Sequence, residues 1–264
     1  MNIWTIIMFF LIAYLGMQML MLNKQKKGNN RLMGMLEVFS EEETFFQRAN
    51  EAISTETDTV LLEKEKVIKL WGEAYHNHED DFKKSLSELK LDTFFTPTNR
   101  KNPYEGNEDV FFYLYLVIPN NLYSKGKFEL IDILNEKLNE VQETLKTSLV
   151  KKISEENAKY YRNQEDRGRA FYEKVMDGDY GEYDYSKQLI SMYKGIVASM
   201  LVSLYEKSGE KEKYDDLLPA VESFHQTNLG KRWLKEINLV LPSEQENKEE
   251  QTEEVKEEST EENK

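Results

Sequence analysis

The chain opens with a long apolar run that extends from Ile3 to Leu22 and contains no charged residue. At about 1.5 Å per helical residue such a run spans about 30 Å, the thickness of the hydrocarbon core of a bilayer. The pattern therefore predicts a transmembrane anchor over residues 1–23. The residues assigned to this anchor include Ile3, Trp4, Phe9, Phe10, Tyr14 and Leu22.

A cleaved signal peptide is the alternative interpretation of this segment. Signal peptides have a basic start, a shorter apolar stretch and a small-x-small cleavage site. The chain has none of these features, and the residues from Met17 to Leu20 are poor cleavage residues. An uncleaved anchor is therefore favoured.

A basic segment, residues 24–31, follows the anchor and contains Lys24, Lys26, Lys27 and Arg31. Because Lys and Arg close to a span resist translocation, it predicts a single-pass cell-membrane protein with its N-terminus outside and its C-terminal domain in the cytoplasm. The basic residues either contact anionic lipid headgroups or form a plain stop-transfer flank. The chain has no cysteine, which fits a reducing compartment and excludes a disulfide scaffold.

The pattern from residue 32 to 241 places apolar residues three and four positions apart, and the whole chain has five prolines and twelve glycines. This pattern predicts an all-α domain over 32–241. The predicted helices cover about Leu32–Ile53, Asp58 or Thr59 to Tyr75, Asp80–Leu91, Lys127–Ile153, Ser154–Met176, Tyr185–Lys207, Lys211–His225 and Leu229–Leu239. A loop is predicted over Phe95–Asn107, a turn over Asp177–Gly181 and a break at Gly209.

Two of the segments leave alternatives open. The run from Val110 to Ile118 is rich in β-branched and aromatic residues, as a strand would be, but no partner strand is found elsewhere. A buried helix that ends or kinks at Pro119 is therefore predicted there. The predicted helix Lys127–Ile153 carries an apolar residue at every turn, which fits either a coiled coil or an ordinary packed helix.

The charge of the chain is −14, and half of it lies in residues 242–264, where ten Glu stand against three Lys. This segment contains one aliphatic residue, Val255, and too little apolar surface to offset the entropy of ordering it. A disordered acidic tail is predicted, which either solvates the protein or binds a basic partner. The overall acidity argues against nucleic-acid binding, because phosphates are bound by concentrations of Lys and Arg.

A phrase recurs along the chain in which an aromatic residue near a helix end precedes a short polar turn and a second amphipathic helix. It occurs at Leu122–Leu134 and Leu204–Leu218, and more loosely at Ala74–Leu86 and Phe171–Tyr183. The phrase resembles the turn between the two helices of a tetratricopeptide repeat, and Leu201, Tyr205 and Gly209 stand at that family's spacing. Tyr214 replaces the small residue expected in the second helix, and the copies are unevenly spaced. The resemblance implies an irregular helical-hairpin array whose groove binds a peptide or helix, and a helical bundle is the alternative.

Candidate catalytic and metal-binding motifs are sparse. His76 and His78 stand two residues apart in HNHEDD, whereas metal ligands on a helix are three or four apart, so a solvated turn is the preferred interpretation. The segment from Asp177 to Tyr185 begins like a calcium loop but lacks its turn glycine and its final carboxylate. Phosphate-binding loops, nucleophile elbows and HExxH pairs are absent from the sequence.

Tyrosine is the remaining unusual feature, with fifteen residues in the chain. Tyr combines apolar area with a polar tip and is enriched in recognition surfaces, although helical proteins also bury it between helices. The tyrosines proposed to form a partner-binding wall are Tyr172, Tyr180, Tyr183, Tyr185, Tyr193 and Tyr205.

Together these patterns predict a membrane-tethered cytoplasmic helical adaptor or scaffold that binds another protein and is not an enzyme. No cofactor, metal or nucleic acid is expected, and the sequence leaves small-molecule ligands open. A structural subunit of a larger membrane complex, assembled through the helix Lys127–Ile153, is the alternative. An enzyme or metal protein with an unrecognised site is the third possibility.

Overall fold

The computed structural model describes residues 26–95, 102, 104–162 and 166–242. The described residues form helices joined by turns, and no strand occurs among them, so the all-α prediction is confirmed. The chain divides into two compact units between Phe94 and Phe95, a boundary that falls inside the region 32–241 predicted as one helical domain. The predicted anchor, Lys24 and the acidic tail after Pro242 lie outside the described residues.

Unit 1 consists of helices that pack around α3. They are α1 (residues 26–37), α2 (Glu42–Thr55), α3 (Thr59–His76), α4 (Glu79–Glu88) and a 3-10 turn (Leu91–Phe94). The predicted start of α3 is confirmed, because the Asp58 carboxylate accepts the backbone N–H groups of Val60 and Leu61, both at 3.0 Å. Such a cap satisfies donors that have no partner inside the helix.

The single helix predicted over Leu32–Ile53 is wrong, because residues 38–41 form a turn between α1 and α2. The turn lets Phe39 and Phe45 enter the same core, where both are fully buried and their ring centroids lie 5.0 Å apart. The Phe39 ring also lies 4.0 Å from that of Trp71 on α3. A straight helix would separate these rings, so tertiary packing decides the break.

Unit 2 begins with a helical run that crosses the ambiguous apolar segment. Its helices are α5 (Glu108–Phe112), a π-helical stretch (Tyr113–Val117), α6 (Ile118–Ser124), α7 (Phe128–Leu138), a 3-10 turn (Asn139–Val141), α8 (Leu149–Tyr161), α9 (Asp166–Met176), α10 (Lys187–Ser208), α11 (Lys211–His225) and α12 (Asn228–Glu236). Consecutive helices from α8 to α12 contact one another, and α12 also contacts α6 and α10.

The segment from Val110 to Ile118 is a buried helix, as predicted, and the helical backbone continues through Pro119 instead of ending there. The backbone N–H of Ile118 bonds to the carbonyl of Tyr113, five residues back, which widens the helix before the proline. Proline in a helix clashes with the carbonyl four residues earlier and lacks an N–H. The wider turn relieves that conflict, and helix α6 then continues to Ser124.

The continuous helix predicted over Lys127–Ile153 is also wrong. The apolar residues that recur at each turn of its pattern are buried, but the backbone leaves the helix after Leu138 and resumes at Leu149. Residues 139–148 include Asn139, Thr144, Thr147 and Ser148, whose side chains compete for backbone hydrogen bonds and disfavour helix interiors. Consequently Ser154, predicted to cap the next helix, lies inside α8, and the following helix starts at Asp166.

The last three helices lie where the pattern predicts them. Ser186 caps α10 by accepting the N–H of Leu189 at 3.2 Å, and Gly209 ends that helix in the left-handed conformation at φ 72°. In the described part of the chain only α10 is long and apolar enough to cross a membrane, and 72% of its apolar window is buried within the protein. That burial makes α10 the central core helix of unit 2.

Candidate binding site

Unit 2 contains a surface cavity of about 310 Å³ between α8, α9 and the turn that follows α9. We call it the α8–α9 pocket. Its walls are formed by Leu149, Lys152, Glu155, Glu156, Phe171, Lys174, Asp179, Tyr180 and Gly181. Its size lies at the lower end of the range that small ligands or a few peptide side chains occupy.

The turn after α9 shapes one wall of the pocket. Gly178 and Gly181 have φ values of 103° and 79°, which residues with a Cβ rarely adopt. The Asp179 carboxylate accepts the N–H of Gly181 at 3.2 Å, and the N–H of Asp179 bonds to the carbonyl of Lys174 at 2.9 Å. This local pairing holds Tyr180 at the pocket wall.

The pocket carries two ammonium groups that have no partner. Among the described residues neither Lys152 nor Lys174 makes a side-chain hydrogen bond or an ion pair. The neighbouring carboxylates are paired with other lysines, Glu155 with Lys151 at 3.8 Å and Glu156 with Lys159 through Oε1. The two pocket lysines are therefore available to an anionic group.

A carboxylate oxygen in the pocket also lacks a partner. Glu156 Oε2 is buried and accepts no hydrogen bond from the described residues. It approaches α9 at Gly168, where an added Cβ would lie 3.3 Å from this oxygen. A buried acceptor without a partner is unfavourable, and a donor in the pocket satisfies it when the Glu156 side chain turns from α9 toward the pocket.

Aromatic rings supply the apolar wall of the pocket. Phe171 and Tyr180 are half-buried, and Leu149 beneath them is 1% exposed. The Lys194 ammonium lies 5.8 Å from the centroid of the Tyr180 ring. The pocket thus combines an apolar surface, two free cations and one unsatisfied acceptor, and it can bind a group that has an apolar side chain between opposite charges.

Three of the six tyrosines proposed as an exposed wall are core residues. Tyr172, Tyr193 and Tyr205 are at most 3% exposed. The Tyr172 hydroxyl donates to Asn157 at 2.7 Å and the Tyr205 hydroxyl donates to Glu173 at 2.8 Å. Burial raises the pKa of all three phenols, that of Tyr205 to about 12. Apolar periodicity along α10 is the signal that places Tyr193 and Tyr205 inside.

The other three tyrosines are half-buried along the turn between α9 and α10. The Tyr183 hydroxyl donates to the carbonyl of Thr144 at 3.1 Å, and the Tyr185 hydroxyl accepts the N–H of Leu149 at 2.8 Å. These bonds fasten the turn to the start of α8. The predicted wall is therefore reduced to Tyr180, which lines the pocket, and to two rings that hold its frame.

In the basic segment the Arg31 guanidinium is partly buried and pairs with two carboxylates of unit 1. Its Nη1 donates to Glu56 at 3.0 Å and its Nε lies 3.0 Å from Glu65, which is 1% exposed. Burial raises the pKa of Glu65 to about 7, the Arg31 charge lowers it and the Glu56 charge raises it. Lys26 and Lys27 are at the start of α1, and both are exposed.

Sequence patterns missed the burial of Glu65, because a lone Glu on a charged helix resembles a surface residue. They also missed a polar network in unit 2. Asn120 and Asn121 donate to the two oxygens of Glu236 at 2.6 and 2.7 Å, and Tyr161 donates to Asn120. Burial raises the pKa of Glu236. This network ties α12 to α6, residues more than a hundred positions apart.

The histidine segment forms local contacts in unit 1. His76 Nε2 lies 2.9 Å from the carbonyl of Phe39, and His78 Nε2 lies 2.8 Å from Glu42. The His78 ring stacks on Phe46 at 4.8 Å. Within the described ranges no group of three or more His, Cys, Asp or Glu side chains is arranged to hold a metal ion.

No protein-family model, curated protein or solved structure matches this chain. Of the clusters described above, the α8–α9 pocket is the one that combines open volume with polar groups lacking partners.

Proposed function

We propose that this protein is a membrane-tethered, cytoplasmic helical adaptor that binds another protein and does not catalyse a reaction. The α8–α9 pocket carries the proposal, because its free lysines, unsatisfied Glu156 oxygen and aromatic wall provide recognition groups without a partner inside the described residues. An adaptor needs such a surface on a stable scaffold, and the helices around the pocket belong to the packed core of unit 2.

The tether rests on the uncharged run from Ile3 to Leu22 and the lysines that follow it. The docking of Arg31 against Glu56 and Glu65 holds α1, the first described helix after the proposed tether, against α2 and α3. In this arrangement unit 2, which carries the pocket, lies in the cytoplasm.

The finer fold is an irregular helical-hairpin array of tetratricopeptide-like type or a helical bundle. Packing of each helix from α8 to α11 on the next supports the array, as does the Gly209 turn between α10 and α11. The contact between α12 and α6 supports the bundle, since repeats in an open array touch only their neighbours.

A structural subunit assembled through Lys127–Ile153 is less favoured. That segment is interrupted at residues 139–148, and Leu138 and Leu145 are buried inside unit 2 rather than offered to another chain.

The proposal is tested by purifying the full-length protein from its native membrane in mild detergent after light cross-linking, with mass spectrometry of the proteins that co-purify. The pocket variant is Tyr180→Ala, and the control is Phe128→Ala, which removes another aromatic residue of unit 2 that is 47% exposed. We expect a stoichiometric partner with the wild type and the control, and at least tenfold less of it with Tyr180→Ala. Equal recovery with both variants would exclude the pocket, and purification of the bare wild-type protein would refute the adaptor function.

A further inference from the structure

The α8–α9 pocket requires an occupant with a particular sequence of groups. Lys152 and Lys174 need anionic partners, Glu156 Oε2 needs a donor, and Phe171 and Tyr180 offer an apolar surface. A purely acidic segment would leave the glutamate oxygen unsatisfied, and a purely apolar one would bury both lysines beside no counter-charge. The fitting segment has an apolar residue with a lysine beside it and carboxylates on either side.

The chain itself contains such a segment outside the described residues. Residues 253–258 read EEVKEE, in which Val255 is the one aliphatic residue of the last 22 and Lys256 follows it directly. The glutamates before and after this pair are opposite in charge to the two free lysines of the pocket, with one flank for each lysine. Apolar residue, donor and carboxylates thus occur in one short stretch of the sequence.

The segment can reach the pocket from its point of attachment. The described part of unit 2 ends at Pro242, and Leu241 next to it is 1% exposed, so the chain leaves from the body of the same unit. Val255 is thirteen positions after Pro242, and this length of chain can span about 43 Å when extended. A compact unit of about 150 residues has a radius of gyration of about 15 Å, so this length covers its surface. A tether of this kind produces an effective concentration in the millimolar range, which suffices for a weak contact.

We infer that residues 253–258 bind in the α8–α9 pocket, with Val255 against Phe171 and Tyr180, Lys256 at Glu156, and the flanking glutamates at Lys152 and Lys174. The acidic tail then acts as an internal ligand that a partner must displace. This contact needs no partner protein, so it can be tested separately from the adaptor function.

The contact is tested by disulfide trapping in the full-length chain, which has no native cysteine. Thr252→Cys is combined with Asp179→Cys at the pocket, and in the control with Glu212→Cys, another exposed acidic position of unit 2. With diamide as the oxidant, the pocket pair should form an intramolecular disulfide at least tenfold faster than the control pair. Equal rates for the two pairs, or a disulfide that joins two chains, would overturn the inference.

Charge reversal supplies a second, independent test. Lys152→Glu with Lys174→Glu should slow trapping of the pocket pair about tenfold, and the added reversals of both flanks, Glu253→Lys, Glu254→Lys, Glu257→Lys and Glu258→Lys, should restore the rate. Lys211→Glu with Lys231→Glu makes the same change of charge at exposed lysines of α11 and α12 and should leave the rate unchanged. If both pairs of reversals slow trapping equally, the attraction is a general charge effect and the assigned pocket is wrong. If only a co-purified partner protects α8 and α9 from hydrogen exchange, the pocket belongs to the partner and not to the tail.

Discussion

Replacing Arg31 with glutamine is expected to loosen unit 1, and to do so more at pH 8 than at pH 5. The Arg31 guanidinium joins α1 to the end of α2 and to α3, through the Ala52 carbonyl, Glu56 and Glu65. Glu65 is the pH-sensitive partner, because burial raises its pKa from 4.5 to about 7 even with the arginine beside it. Without the arginine its pKa rises further.

The sign of the effect follows from linkage. A carboxyl group with a raised pKa in the folded state supports folding fully below its unfolded pKa of 4.5, and that support is lost as the pH rises toward 7. At pH 5 Glu65 is protonated with or without Arg31, so the variant loses only hydrogen bonds, which is about 2 kcal/mol. At pH 8 Glu65 is ionised beside the Arg31 cation in the wild type but stays protonated in the variant. This difference adds about 1.4 kcal/mol to the destabilisation of the variant, the value for one pH unit above a pKa of about 7.

Hydrogen–deuterium exchange of the full-length protein in detergent, followed by mass spectrometry, measures this locally. Exchange rates are normalised to the intrinsic rate at each pH. A change of about 1.4 kcal/mol in the free energy of local opening then changes the normalised rate tenfold. For peptides from α1, α2 and α3, the ratio of the variant's exchange rate to that of the wild type should be about tenfold larger at pH 8 than at pH 5. Arg48→Gln is the matched control, because Arg48 is exposed and donates one hydrogen bond to Gly34 at 2.9 Å.

The outcome that refutes the reasoning is a loss of protection that is the same at both pH values. The double variant Arg31→Gln with Glu65→Gln separates the two contributions. It should keep the hydrogen-bond loss and abolish the pH dependence, because an amide side chain at position 65 does not titrate. A double variant that keeps the pH dependence would assign it to another group.

Two further predictions concern unit 2 and can be measured by thermal and chemical denaturation of the purified protein. Tyr172→Phe should lower the free energy of unfolding by about 1–3 kcal/mol, because it leaves the buried Asn157 oxygen without its 2.7 Å donor. Tyr193→Phe should be neutral or stabilising, because the buried Tyr193 hydroxyl has no hydrogen-bond partner among the described residues. Equal losses of stability in the two variants would contradict the assigned hydrogen bonds. Gly230→Ala should destabilise the α11–α12 corner by about 1–3 kcal/mol or more, since an added Cβ would lie 2.0 Å from the Phe224 carbonyl oxygen. An unchanged midpoint of the unfolding transition would show that this corner is not closely packed.

The apolar pattern predicted which residues are buried better than it predicted where helices end. Leu130, Leu134, Leu145 and Leu149 are all buried, as their spacing indicates, yet the backbone between Leu138 and Leu149 is not a continuous helix. Apolar residues spaced three or four positions apart indicate that they share one buried face. A turn in the backbone can keep the same residues on that face. Of the predicted capping residues, Asp58 caps α3 because it accepts backbone N–H groups two and three positions away, whereas Ser154 lies inside α8.

The candidate site was predicted only in part for a related reason. Tyr180 belongs to the pocket, as its place in the tyrosine group suggested, but Lys152 and Glu156 carried no sequence signal. On a charged helix a lysine that is paired and one that is free have the same local sequence. Their difference arises from which charges α9 and its turn bring within reach, and residue spacing does not contain that information.

By itself the sequence determined the helical character of the described residues, the apolar faces, the helix caps at Asp58 and Ser186 and the left-handed end at Gly209. All of these depend on groups within a few residues of one another. Tertiary structure decided the turn at residues 38–41, the burial of Glu65 against Arg31 and the opening of the α8–α9 pocket. These features depend on contacts between residues far apart in the chain, where packing and desolvation outweigh local preference.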